Sequence, residues 1–131
     1  MAKIPTRGHD DDSGMDIYSV ETYILHPGCR YTFSTGIAAK IPDGYEIQVR
    51  PRSSLSSNHG IVTMFGTVDH GYRGEIRVCL VNLSQETYTI NIGDKISQLV
   101  LAPVAIPEIE EVSVFDDTTT RGIDGFGSTG K

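Results

Sequence analysis

The sequence predicts an all-β fold, a sandwich or barrel with little helix, on three observations. Apolar residues alternate at period two in several short segments. Turn-forming residues recur between those segments, at His26-Pro27-Gly28, Pro42-Asp43-Gly44, residues 71–74 and Asn91-Ile92-Gly93-Asp94. No long window carries a helical repeat. The 131 residues, 38% of them hydrophobic, suffice for one core and are too few to divide comfortably into two. Residues 1–115 are therefore expected to form a single β domain, and residues 116–131 a mobile C-terminal arm.

Along the chain, Ser13-Gly14-Met15-Asp16-Ile17 reads as a turn entering a strand. The acidic run 9–12 before it has contiguous carboxylates without the spacing of a calcium loop, and reads as solvated chain. Residues 45–49 alternate as a half-buried strand. Pro51-Arg52-Ser53-Ser54-Leu55 follows as a strand-to-helix turn, with a short helix expected over 53–58 and serines able to cap it. Residues 66–76 read as a hairpin, running into a strand over 76–80 in which Ile76, Val78 and Leu80 share one face. Gly93-Asp94-Lys95-Ile96-Ser97-Gln98 is again turn then strand. The segment 98–105 is apolar until Pro103, as in a strand buried on both faces, which in so small a chain points to an interface between copies.

Composition excludes several classes of function. Eleven basic residues against seventeen acidic ones give a charge of −6, which disfavours a general nucleic-acid binder. No stretch approaches the roughly eighteen apolar residues of a membrane span, and the N-terminus has no signal-peptide core. The expected location is cytoplasmic, or nuclear in a eukaryotic host cell, and not secreted. Cys29 and Cys79 fit no metal or disulfide pattern and read as buried thiols. The histidines, His9, His26, His59 and His70, have no metal-ligand spacing, so no transition-metal site is expected.

Three constellations could carry chemistry. Residues 125–131 match most of the phosphate-cradling pattern GxxxxGK[ST], but the sequence given stops at Lys131, with no following helix to complete it. The local chemistry survives: glycine backbone suited to an anion, hydroxyls from Ser128 and Thr129, charge from Arg121 and a stacking face on Phe126. At Arg52, Ser53 and Ser54 a guanidinium and two hydroxyls stand together, as phosphate binding needs. At Asp69 and Tyr72 a hairpin bend offers a carboxylate able to take a proton from water and a ring able to pack on a sugar. An ordinary turn aspartate and an ordinary capped turn are the bland alternatives at the last two.

In this order, SGMDI, PRSSL, GTVDHGYRGEI, GDKISQLV and RGIDGFGSTG resemble the five motifs of the trimeric dUTPase family, from Ser13 to Gly130. The resemblance implies a jelly-roll-like β subunit with a flexible C-terminal arm, and a homotrimer with shared active sites, each receiving such an arm, that splits dUTP into dUMP and diphosphate. Such an enzyme limits uracil incorporation into DNA and supplies dUMP for dTTP synthesis. It further implies roles by motif. Asp16 would help hold Mg²⁺ through water, with the ion carried mainly by the substrate phosphates. Arg52, Ser53, Ser54 and Gln98 would contact the phosphate chain, and Asp69 would be the general base. Backbone near Gly66 would read the uracil edge, and Tyr72 would lie under the deoxyribose and exclude a 2′-hydroxyl. Arg121, Gly127, Ser128 and Thr129 would grip the γ-phosphate, with Phe126 stacked on uracil.

Two positions depart from the family pattern: Asp124 stands where many members have glycine, and Gly71 where many have a second acid. The related dCTP deaminases need a glutamate in the strand after Tyr72. Residues 76–83 contain no acid, and Cys79 lies near that place, so deamination is disfavoured. A non-catalytic or moonlighting dUTPase-like binding protein is the reading from a different class.

Overall fold

A computed structural model of the chain describes residues 1–114, 119–125 and 130. The strands are β1 (Gly14–Tyr18), β2 (Tyr23–Leu25), β3 (Arg30–Phe33), β4 (Tyr45–Arg50), β5 (Ile61–Thr63), β6 (Gly66–Val68), β7 (Val78–Asn82), β8 (Tyr88–Ile90) and β9 (Lys95–Pro103). One helix, α1 (Ser53–His59), interrupts them between β4 and β5. Strands β1-β9-β4-β6 form one sheet, β3-β7-β5 a second and β2-β8 a two-stranded third. Every pairing is antiparallel, and no barrel closes among the described residues.

The period-two pattern does what it predicts. Ile47 and Val49 of β4 and Val78 and Leu80 of β7 point inward, and they join Ile17, Leu25, Phe33, Ile61, Val68, Ile90, Ile96 and Leu99 in one core cluster. All three sheets therefore contribute an inner face to the same apolar interior, the arrangement of a sandwich. Asn82 is a polar post inside it: its buried amide donates to the carbonyls of Leu25 and Glu86 at 2.9 and 2.8 Å. This joins the β2 end to the loop before β8 without an unsatisfied group.

Four expectations need correction. The hairpin expected over 66–76 does not form: β6 pairs with β4 in the large sheet while β7 belongs to the second sheet, so Asp69 and Tyr72 lie on a loop that crosses between sheets. The strand expected over 76–80 begins at Val78, because Ile76 donates its N–H to the Ile37 carbonyl at 2.7 Å and belongs to a loop crossing, although its side chain is buried as expected. The segment 98–105 is not buried on both faces within one chain: β9 starts at Lys95, and Leu101, Pro103 and Val104 lie open. Burial in β9 falls on Ile96, Ser97 and Leu99, within the stretch that β1 covers up to Val100. The cysteines are not buried thiols. Cys29 is exposed in the turn ahead of β3, and Cys79 is half-buried on the outward face of β7 beside the Met64 sulfur. No helix of the described residues is long and apolar enough to cross a membrane.

Candidate active site

The register of the large sheet brings the first group of residues together. Asp16 on β1 pairs with Gln98 on β9, and Gln98 pairs with Arg50 on β4, so three adjacent strands present one row. Just past Arg50 the chain turns at Pro51 and Arg52 into α1. Gln98 donates its amide N–H to the Pro51 carbonyl at 2.8 Å, tying the turn to the sheet. Its side chain lies directly over Gly14: a Cβ there would stand 2.9 Å from Gln98 Cδ, with Oε1 closer still. A side chain at position 14 would push the Gln98 carboxamide from its place.

Arg52 is the N-cap residue of α1 with extended backbone, and no side chain caps the helix. The first-turn amides are left to an acceptor from outside the helix. Leu55 is the residue of α1 buried in the core, and Gly60 ends the helix in the left-handed region at φ 65°. The guanidinium of Arg52 turns to the sheet instead, donating from Nε to Asp16 Oδ1 at 2.9 Å. Lys95 Nζ takes the other carboxylate oxygen at 2.7 Å. The half-buried Asp16 carboxylate is therefore neutralised twice, and its partnership holds the Lys95 ammonium above the usual lysine range.

Asp16, Arg52, Ser53, Ser54 and Gln98 line one cavity of about 410 Å³, and Lys95 lines it with them. Lys95 went unassigned in the sequence. The signal was its place two residues after Gly93 in a motif whose Gln98 was singled out. The acidic run also reaches this cavity, where Gly8, His9 and Asp12 form its rim. It is not merely solvated chain. Its turn is closed by Asp12 N–H on the His9 carbonyl, by His9 N–H on the Asp12 carboxylate and by Arg7 Nε on the Asp12 carbonyl. The His9 N–H beside Asp12 is the chief cause that holds its carboxyl below the usual range.

The second group lies elsewhere. Gly66, Asp69 and Tyr72 line a separate cavity of about 280 Å³. The Tyr72 hydroxyl donates to the Glu75 carbonyl at 2.9 Å, and its ring is folded over Gly74, where a Cβ would meet Cε2 at 3.0 Å. Glu75 anchors this loop, accepting from the backbone N–H groups of Thr35 and Gly36 at 2.9 and 2.7 Å. Asp69 is exposed. Strand β6 runs opposite to β4, with Gly66 against Val49 and Val68 against Ile47. The chain reaches Asp69 near the start of β4 while Arg52 stands past its end, a separation of roughly 20 Å along the strand direction.

Arg121 joins neither group. It closes a turn of its own, donating from Nε to the Asp124 carbonyl at 2.9 Å, with Asp124 N–H on the Arg121 carbonyl. Phe126, Gly127, Ser128 and Thr129 lie outside the described residues.

Residues 1–130 match the family model described as dUTPase. The chain is 52% identical to the deoxyuridine 5'-triphosphate nucleotidohydrolase of Ehrlichia canis, over 97% of this chain and 86% of that protein. It is 48% identical to the protein of the same name from Mycolicibacterium gilvum, over 97% and 87%. Among solved structures, the dUTPase of Staphylococcus bacteriophage 80alpha with dUPNHPP superposes with a TM-score of 0.93 at 32% identity, covering 99% of this chain and 93% of that one. A variant dUTPase from phage phi11 of S. aureus, described with the coordination of a structural Mg(II) ion, superposes at 0.82 with 32% identity, over 88% and 93%.

Proposed function

The chain belongs to the dUTPase family, and from that membership we propose that it hydrolyses dUTP to dUMP and diphosphate at sites built from more than one copy of itself. The observation that carries the reading is the clustering of Asp16, Arg52, Ser53, Ser54 and Gln98 around one cavity. A guanidinium, an ammonium, two hydroxyls and a carboxamide there can meet the charges of a triphosphate that the protein's negative total would otherwise repel.

In this reading Arg52, Ser53, Ser54 and Gln98 hold the phosphate chain, and Lys95 adds a second cation. Asp69 orients and deprotonates the water that attacks the α-phosphorus. Tyr72 packs under the deoxyribose and rejects ribonucleotides, while the backbone at Gly66 reads the uracil edge. Arg121, Gly127, Ser128 and Thr129 bind the terminal phosphate, and Phe126 covers the base. Closing such an arm would exclude bulk water and strengthen every charged contact inside.

The donor set fits Mg²⁺ carried in on the nucleotide. A hard cation takes oxygen ligands, and the cavity offers the Asp16 carboxylate, already paired on both oxygens. That is suited to holding a metal's water rather than to a protein cage, and no group of three or more His, Cys, Asp or Glu that could hold a metal occurs among the described residues. When bound, Mg²⁺ supplies charge neutralisation across the phosphate oxygens.

A base and a phosphate grip roughly 20 Å apart in one chain cannot serve one α-phosphorus, since a general base must come within hydrogen-bond reach of the water it activates. Combining the Arg52 cavity of one copy with the Asp69 loop of another removes the difficulty. A closed homotrimer would give three equivalent sites. The enzyme would act where nucleotide pools lie, in the cytoplasm or a host nucleus.

The test is diphosphate release from dUTP, dCTP, dTTP and UTP, with and without Mg²⁺, by the wild type and Asp69→Asn. Release from dUTP alone, Mg²⁺-stimulated and abolished in the variant, is expected. No release from dUTP removes the proposal, and ammonia release from dCTP would replace it with deamination.

A further inference from the structure

We infer that His70 is a positioning residue for Asp69, acting as a strut that ties the turn carrying the base to the body of the fold; this rests on the role proposed for Asp69. The turn Asp69-His70-Gly71-Tyr72 is closed by Tyr72 N–H on the Asp69 carbonyl at 3.0 Å. Arg73 Nη1 donates to the carbonyls of His70 and Tyr72 at 2.7 and 2.9 Å, and the Tyr72 hydroxyl donates to Glu75. All of these bonds lie within residues 69–75. They give the turn its internal form and do nothing to fix where it sits.

Two contacts reach outward from it. At the far end the Glu75 carboxylate grips Thr35 and Gly36. At the near end, one residue from Asp69, the His70 ring spans two acceptors on the loop that leads into β4. Nδ1 lies 2.7 Å from the Ile41 carbonyl oxygen, and Nε2 lies 2.8 Å from Asp43 Oδ1. A carbonyl only accepts, so Nδ1 is the donor there.

The two ties differ in stiffness. Ile41 is 1% exposed, its side chain locked in the core, so its carbonyl is a fixed post. Asp43 is 96% exposed at a turn, and a contact to so exposed a carboxylate contributes little. The strut is therefore the Nδ1–H bond to Ile41. The charged groups around the ring are Asp43 from the loop, Glu46 from β4, and Asp69 and Arg73 from its own turn; Asp43, Glu46 and Asp69 line the same cavity as the imidazole. A base held on a short exposed bend loses its aim when that bend tilts, and misplacement of about 1 Å costs on the order of a hundred-fold in rate.

The test separates the two nitrogens. The amide nitrogen of asparagine falls where Nδ1 stands, and that of glutamine where Nε2 stands. His70→Ala, His70→Asn, His70→Gln and Asp43→Ala are compared with wild type in kcat and KM for dUTP with Mg²⁺, alongside melting temperature. We expect His70→Ala and His70→Gln to lower kcat roughly ten-fold with KM nearly unchanged. His70→Asn should recover most of kcat, and Asp43→Ala should lose little. Wild-type kcat in both His70→Ala and His70→Gln overturns the inference, as does rescue by glutamine equal to that by asparagine. Should His70→Ala fold poorly, the Asn and Gln pair decides alone. A dead Asp69→Asn beside unaffected His70 variants would leave the proposed function standing and remove this strut.

Discussion

At the scale of single residues, neighbouring side chains carry different costs when they are replaced. Asp69→Asn keeps the shape of the turn and removes the base, so kcat for dUTP should fall roughly 10²- to 10⁴-fold in steady-state assays, the range general-base help supplies. Gly14→Ala acts without touching substrate. Its Cβ would displace the Gln98 amide from Pro51, so KM for dUTP should rise several-fold while kcat changes less. Lys95 makes a pH-dependent prediction. Its ammonium titrates above the usual range because of Asp16, so the pair's stabilisation is fully present below the ordinary lysine value of about 10.4 and is lost as pH rises through the higher folded value. Thermal melts of Lys95→Met should therefore differ slightly from wild type at neutral pH, and the difference should close in strong alkali. Arg52, Ser53 and Ser54 stand out by their own chemistry, whereas Asp16 and Gln98 enter only through the resemblance to the dUTPase motifs; the structure gathers all five at one cavity. Lys95 and His70 are singled out by neither, although Lys95 shares a motif with Gln98, because their partners, Asp16 and Ile41, lie far along the chain.

At the scale of elements, α1 joins packing to the site. Leu55 alone fixes this short helix to the core, and the same turn carries Ser53 and Ser54 at the cavity. Leu55→Ala should cost about 2–4 kcal/mol in denaturant unfolding and also weaken substrate affinity, because the helix start would lose its seat. The helix itself was legible from the serines after Pro51. Strand β4 was legible from its alternation, and its end from Pro51. The boundary of β7 was not, since Ile76 is buried by a loop crossing that gives the same apolar signal as a strand. The acidic run shows the reverse error: its composition reads as solvated, yet a side chain folding back on its own backbone turns it into the rim of a cavity. For β9, apolar content signalled burial that one chain does not provide, which leaves Leu101 and Val104 open.

Those open residues matter at the scale of the whole molecule. Beyond β9 the segment after Pro103 has no regular structure through residue 112, and Ile106 and Ile109 are 87% and 93% exposed. Met64 and Phe65, at the turn between β5 and β6, are also exposed. This much uncovered aliphatic and aromatic surface is what an assembling subunit shows when viewed alone. Size measurement in solution should give a trimer, and a stable active monomer would contradict shared sites. Deleting residues 125–131 should leave that trimer intact with severely reduced hydrolysis, since the arm is proposed to bind nucleotide rather than to build core.

The shared site is tested most directly by mixing two inactive proteins. Asp69→Asn lacks the base and Arg52→Ala lacks the phosphate grip, so each alone should be nearly inert toward dUTP. Refolded together in equal amounts, they should regain activity approaching roughly a quarter of wild type, because random assembly pairs an intact Arg52 cavity with an intact Asp69 loop in that share of sites. A mixture no more active than its two components would mean that one chain supplies both residues to each site, and the account of a base and a grip from different copies would be wrong.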